Sequence, residues 1–249
     1  MNMDNWLTGA TPPQPVHLSS LQLWLDPLPR SGYENMAVDE LLSRRPEAWL
    51  RIYGWAQPSV SYGYFDTAAT AASIFPGEGI HYIRRWTGGG IVDHRHGTTY
   101  TLTLPSRAEP YPCSAELYCW IHSALGVALQ ACGVPCYLLG ADADYGGRAC
   151  WASPVKSDLV NPLGQKLAGA GQRRYRGAVL HQGLIQNCTP TAGWEQRFAA
   201  ALADHFTPVT GEQPWAGFPT ELRELCLSKY LAPAWEDETH GRRKPTADH

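Results

Sequence analysis

Apolar residues recur along this chain in short blocks of two different periods. Leu21 to Leu25 is a brief apolar run, and Glu34 to Leu42 sets Met36, Ala37, Leu41 and Leu42 at helical spacing, which predicts a first core helix ending before Pro46. Trp49 to Trp55 and Ser59 to Tyr64 alternate apolar and polar positions on either side of Gln57-Pro58, the pattern of successive strands. Ile80 to Trp86 and Thr98 to Leu104 repeat that pattern around a glycine run. Cys113 to Ala131 carries Leu117, Ile121, Leu125, Val127, Ala128 and Leu129 without an internal proline, a helix that stops at Gly133 and Pro135. Strands resume from Cys136, with Asp158 to Val160, Gln165 to Ala168 and Ala178 to Ile185 among them. Gly193 to His205 and Thr220 to Tyr230 read as closing helices. Helices interspersed among hairpins predict one α+β domain with a mixed sheet. Residues 1–17, with Pro12, Pro13 and Pro15, read as an extended lead-in, residues 18–235 as the domain, and residues 236–249 as a charged tail.

The length of 249 residues and an apolar fraction of 44% leave ample material for a packed core, while 17% charged residues are too few for global disorder. Twenty Lys and Arg against 23 Asp and Glu give a net charge of −3, so no strong positive field steers the chain to nucleic acid or anionic lipid. No run reaches the roughly 20 apolar residues that cross a bilayer, and Met1 to Val16 lacks the basic start and apolar core of a secretory signal. The expectation is a cytoplasmic protein, bound to neither nucleic acid nor membrane, with its seven cysteines reduced.

The densest polar signal is Arg84-Arg85-Trp86-Thr87-Gly88-Gly89-Gly90-Ile91-Val92-Asp93-His94. Three successive glycines strip every Cβ from a strand-to-strand turn, so a ligand chain can lie against the backbone and N–H groups can face an anion. Arg84 and Arg85 supply forked donors for carboxylate or phosphate. No Gly-Lys-Ser/Thr follows and no G-x-G-x-x-G opens a helix, which excludes a Walker loop and a dinucleotide fingerprint. His94 and His96 with Asp93 lack further ligands at zinc spacing, so no metal is expected.

Cys150 follows Gly146, Gly147 and Arg148 in a loop, where a substrate can reach a thiol. Lys166, in Gly164-Gln165-Lys166-Leu167-Ala168-Gly169, makes it a candidate nucleophile, since a nearby ammonium raises the thiolate fraction. Gly169, Ala170 and Gly171 are small enough for the chain to hug a ligand. Arg173, Arg174 and Arg176 before Gly177 suit either an acidic partner or a solvated hairpin turn. In His181-Gln182-Gly183 a satisfied buried histidine competes with a catalytic one. A Ser-His-Asp hydrolase is excluded by the lack of a G-x-S-x-G elbow.

Taken together, Glu34 to Glu40, Leu50 to Trp55 with Pro58, the Arg84 to His94 block, Lys166 to Gly169 and His181 to Gly183 resemble the lipoate-protein ligases and octanoyl transferases, within the biotin/lipoate protein ligase superfamily. The resemblance runs from about Leu21 to Tyr230 and implies a central mixed, mostly antiparallel sheet flanked by helices. It implies attachment of an octanoyl or lipoyl group to one lysine of a lipoyl carrier domain, as in dehydrogenase E2 subunits and glycine cleavage H protein. The family divides into ligases, which activate lipoate with ATP and Mg as an adenylate, and transferases, which need no cofactor and take octanoyl from acyl carrier protein through a cysteine thioester. Cys150-Trp151 ahead of Lys166 is similar to the cysteine-dependent transferases, whereas the full Gly88-Gly89-Gly90 run is the ligase form. The resemblance implies Cys150 and Lys166 as catalytic. It implies Arg84, Arg85, Thr87, Gly88, Gly89, Gly90, His94, Gly169, Ala170, Gly171, His181 and Gly183 as substrate-binding, with Tyr62 and Gly63 in the wall of an acyl tunnel. A regulator that binds an acyl group or biotin without turnover is the reading from a different class.

Overall fold

The computed structural model describes residue 16, residues 18–141 and residues 154–237. Along the chain run β1 (Ser20–Leu25), α1 (Gly32–Ser43), β2 (Trp49–Tyr53), β3 (Ser59–Tyr62), α2 (Ala68–Ile74), β4 (His81–Arg84), β5 (Val92–Asp93), β6 (Thr98–Leu104) and α3 (Ser114–Ala131). After these come β7 (Tyr137–Leu138), β8 (Leu159–Val160), β9 (Lys166–Tyr175), β10 (Ala178–Ile185), α4 (Trp194–Leu202), β11 (His205–Val209) and α5 (Phe218–Leu225). A π-helical turn over Cys226–Tyr230 and α6 (Pro233–Asp237) complete the described part. Eight strands form one sheet in the order β11-β1-β2-β6-β10-β9-β8-β7, and β4-β3-β5 form a small second sheet. In the large sheet β11, β1 and β2 pair in parallel and the remaining neighbours are antiparallel, which agrees with the mixed, mostly antiparallel α+β architecture expected of one domain.

Local signals explain the elements that border the site. Ser31 caps α1 reciprocally with Glu34: the Glu34 N–H donates to Ser31 Oγ at 3.3 Å and the Ser31 N–H donates to Glu34 Oε2 at 2.9 Å. One face of the large sheet packs on α3 and α4 through residues such as Leu102, Leu125 and Phe198, and the other packs on α1 and α5 through Met36, Leu180 and Phe218. Each helix thereby buries its apolar stripe against the sheet. Among the described residues no helix is long and apolar enough to cross a membrane.

Four elements differ from the sequence expectation. β9 continues through Gly169 and Gly171 to Tyr175, because β10 pairs with it from Ala168 to Tyr175 and supplies the ladder that the glycines alone do not favour. The helix expected up to His205 ends at Leu202, and His205–Val209 is a parallel edge strand in which Pro208 is tolerated. α2, capped by the Thr67 side chain, and the two-residue β5 carry no periodic signal long enough to read. Of the lead-in only Val16 is described, and of the tail only residues 236–237.

Candidate active site

The register of the large sheet lines up Tyr53, Thr99, Leu184 and Gly169 across β2, β6, β10 and β9. Three strand spacings make that row about 14 Å long. A narrow slot lies over it, with Met36, Trp55 and Leu184 as apolar wall and Arg85 and Lys166 as its two cations. No Asp or Glu lines it among the described residues.

The glycine run borders this slot because other glycines admit it. A Cβ on Gly63 would stand 1.9 Å from the Gly89 carbonyl oxygen, and one on Gly171 would stand 2.5 Å from that of Gly88. The loop is therefore wedged between β3 and β9, and Gly89 turns at φ 98, in the left-handed region. Arg85 braces it from within, donating from Nη2 to the Gly90 carbonyl at 2.7 Å and from Nη1 to Ser61 Oγ at 2.6 Å. That contact leaves the Ser61 hydroxyl proton for His94 Nε2 at 2.6 Å, and His94 Nδ1 faces Thr99 Oγ1 at 3.3 Å. Burial first, and then the Arg85 charge, push His94 down to about 3, so it is a neutral ring, stacked at 4.1 Å on Trp55. Thr87 ties the loop to α1: its hydroxyl donates to Gln182 Oε1 at 2.8 Å, and Gln182 Nε2 donates to Asp39 Oδ2 at 2.7 Å. Asp39 is in turn ion-paired to Arg51 at 2.8 Å, with both side chains fully buried.

At the β9 end, Lys166 Nζ lies 2.7 Å from Asp158 Oδ2. The Val155 N–H donates to the same oxygen at 2.8 Å, and the Tyr118 hydroxyl donates to Asp158 Oδ1. The Tyr118 hydroxyl in turn accepts the Ala170 N–H at 2.9 Å. Burial, with the Asp158 charge second, raises Tyr118 well above the ordinary phenol range, so it stays a proton donor. A Cβ on Gly169 would stand 2.2 Å from Lys166 Cε, so only glycine there lets the ammonium cross the strand. Strand alternation turns the Gly169 and Gly171 amides toward β10, so these residues contribute small size rather than oxyanion donors.

Beneath this pair runs a chain of neutral groups. Gln172 Nε2 faces His181 Nδ1 at 3.0 Å, His181 Nε2 faces the Tyr100 hydroxyl at 3.1 Å, the hydroxyl faces His122 Nε2 at 3.1 Å, and His122 Nδ1 faces the Ser157 carbonyl at 2.7 Å. Only one proton order satisfies every partner: each ring accepts at its first nitrogen in that sequence and donates from the second. Burial holds His122 down at about 4 and His181 well below the usual range.

Of the residues expected at the site, Arg85, Gly89, His94, Lys166, Gly169, Ala170, Gly171 and Gly183 line the slot. Thr87, Gly88 and Gly90 support its wall. Arg84 is turned to the Tyr64 and Asp66 carbonyls at 2.6 and 3.1 Å, and His181 belongs to the buried chain. Tyr62 is buried away from the slot, and Ser61 takes the place expected for it. Cys150 lies outside the described residues. Asp158, Tyr118 and Gln182 are the additions; Asp158 and Gln182 sit inside motifs legible in sequence, whereas Tyr118 has no local signal.

A family model described as the lipoyl protein ligase A/B catalytic domain matches residues 31–205. An octanoyltransferase LipM from Symbiobacterium thermophilum is 35% identical over 176 residues, which is 65% of this chain and 63% of that protein. The match thus spans less than two thirds of that relative. A bipartite lipoate protein ligase from Thermoplasma acidophilum, solved with its E2 lipoyl domain, superposes with a TM-score of 0.62 at 18% identity over 91% of this chain and 99% of that one. Lipoate-protein ligase A bound with ATP superposes with a TM-score of 0.60 at 19% identity over 89% and 98%. The two superpositions show a shared fold, and with a family model covering the whole slot, the chain belongs to the lipoyl protein ligase A/B catalytic domain family.

Proposed function

We propose that this protein is an acyltransferase of protein lipoylation, moving an octanoyl or lipoyl group from acyl carrier protein to one lysine of a lipoyl carrier domain through a thioester on Cys150. One observation carries the reading: an apolar slot ends at a buried lysine whose counterion, Asp158, also anchors the chain that follows Cys150. An extended eight-carbon chain is about 9 Å long and fits within the 14 Å row. Burying it contributes about 5 kcal/mol at roughly 0.8 kcal/mol per methylene. Cys150 precedes Val155 by five residues, which span at most about 17 Å, so the tether allows the sulfur to reach Lys166.

In this mechanism the Cys150 thiolate attacks the donor thioester, forming a new C–S bond as the donor thiolate leaves. The neutral amine of the carrier lysine then attacks the acyl-enzyme, an amide forms as the amine loses its surplus proton to solvent, and the Cys150 thiolate departs next to the Lys166 charge. The reaction belongs in the cytoplasm on this reading. The ATP-dependent ligase remains the second reading, favoured by the pairing of Arg85 and Lys166 as slot cations. The described slot residues do not fit a magnesium ion, since none carries a carboxylate and Asp158 is engaged by Lys166 and Tyr118.

The test is intact mass after mixing with octanoyl-loaded acyl carrier protein. The expected result is one added octanoyl group, absent in Cys150→Ala. A Cys150→Ala protein that still lipoylates a carrier domain with ATP and free lipoate overturns the transferase and selects the ligase.

A further inference from the structure

Four arginines gather around the tip of the β9–β10 hairpin. Arg174 holds the Tyr111 carbonyl at 3.3 Å and Ser114 Oγ at 3.2 Å, while Arg107 stacks at 4.0 Å over the ring of the same Tyr111. Gly177, in the turn after Arg176, packs against Ser106, next to Arg107 in the chain. Arg173, on the other face of the strand, donates to the Trp86 carbonyl at 3.0 Å and lies 4.5 Å over its ring. These guanidiniums are fixed by carbonyls and aromatic rings. Among the described residues none of the four has a carboxylate partner, so the patch keeps its full charge in a protein whose net charge is −3.

We infer that this hairpin tip is the docking surface for the acyl donor, an acidic carrier protein that presents its thioester on a long flexible arm. The inference rests on the transferase reading and names the surface that reading needs. Two observations select the donor over the acceptor. Arg107, Arg174 and Arg176 form a compact cationic face that complements an acidic body. Along β9, Arg174 is five residues from Gly169, beside which the Lys166 ammonium lies, and Tyr175 is six, distances of about 17 Å and about 20 Å. A lysine side chain spans only about 6 Å, so an acceptor domain seated on the tip could not place its amine at Lys166. A thioester on a long arm could.

The test uses the full chain, with fluorescently labelled octanoyl-loaded acyl carrier protein as the probe, in Arg107→Glu/Arg176→Glu and in the milder Arg176→Ala. Binding by anisotropy is expected to weaken about tenfold in the double variant and more modestly in Arg176→Ala, and wild-type binding is expected to weaken steeply between low and physiological salt. In turnover, KM for the carrier-bound donor rises about tenfold, while the rate from octanoyl-pantetheine stays within twofold. Wild-type protein that does not bind the carrier overturns the inference, as does unchanged affinity in both variants, or a KM increase confined to the lipoyl domain. Carrier binding that responds to charge reversal in a protein that transfers from no thioester leaves the surface standing and removes the transferase reading.

Discussion

The two fully enclosed histidines should make the fold acid-labile well above the carboxylate range. His122 and His181 are both without solvent exposure, and burial is the first cause that lowers each, His122 to about 4. In the unfolded chain both titrate near 6.5, so below that pH the unfolded state binds protons that the native state refuses. Stability is therefore complete above about pH 6.5 and falls as pH drops, with the His122 share levelling only near 4. At pH 5.5 each ring costs about 1.4 kcal/mol, and the pair about 3 kcal/mol, against a total of about 5–15 kcal/mol for a domain. His94, held down at about 3, adds to the drop in the same window and with the same sign. The held-down carboxylates Glu40 and Asp93 also lose stability on acidification, but in a lower window, only below about 4.5, so pH 5.5 isolates the histidines. Urea unfolding followed by tryptophan fluorescence at pH 7.5 and 5.5 measures the difference directly. His181→Gln should remove a third to a half of the drop. Equal stability at the two pH values would refute the buried, neutral relay.

That relay also marks the limit of what the sequence shows. The strands around the site are legible because Leu50 to Tyr53 and Thr98 to Leu104 carry β-branched and aromatic residues between turn signals. β9 is obscured, because Gly169 and Gly171 look like a break; each is glycine because another group, Lys166 or the Gly88 carbonyl, passes where its Cβ would be. Lys166 and its partner Asp158 stand out by motif, yet Tyr118 does not: it lies 40 residues before Asp158, on α3, and meets it only through packing. Arg84 and Arg85 are adjacent in sequence and alike in chemistry. Strand alternation sends Arg85 into the slot and Arg84 to the Tyr64 and Asp66 carbonyls, a division that depends on register alone.

The Lys166 pair supports three further predictions. Asp158→Asn leaves a buried ammonium without its counterion and should cost about 3–5 kcal/mol in chemical denaturation; an unchanged midpoint would remove the pair from the account of the site. Tyr118→Phe strands the Ala170 N–H and one Asp158 oxygen, for about 1–3 kcal/mol, with the slot residues otherwise in place. Gly169→Ala is the sharpest of the three, because its methyl group would stand 2.2 Å from Lys166 Cε, 2.5 Å from Nζ and 3.2 Å from Asp158 Oδ1. Backbone on the β10 side is held by the ladder, so the lysine must give way, at about 1–3 kcal/mol of overpacking. On the proposed transferase reading, a displacement of about 1 Å at Lys166 is expected to lower the rate of acyl transfer on the order of 100-fold. Loss of transfer with little loss of stability is thus the expected signature. Full activity in Gly169→Ala would mean that the ammonium does its work from some other position.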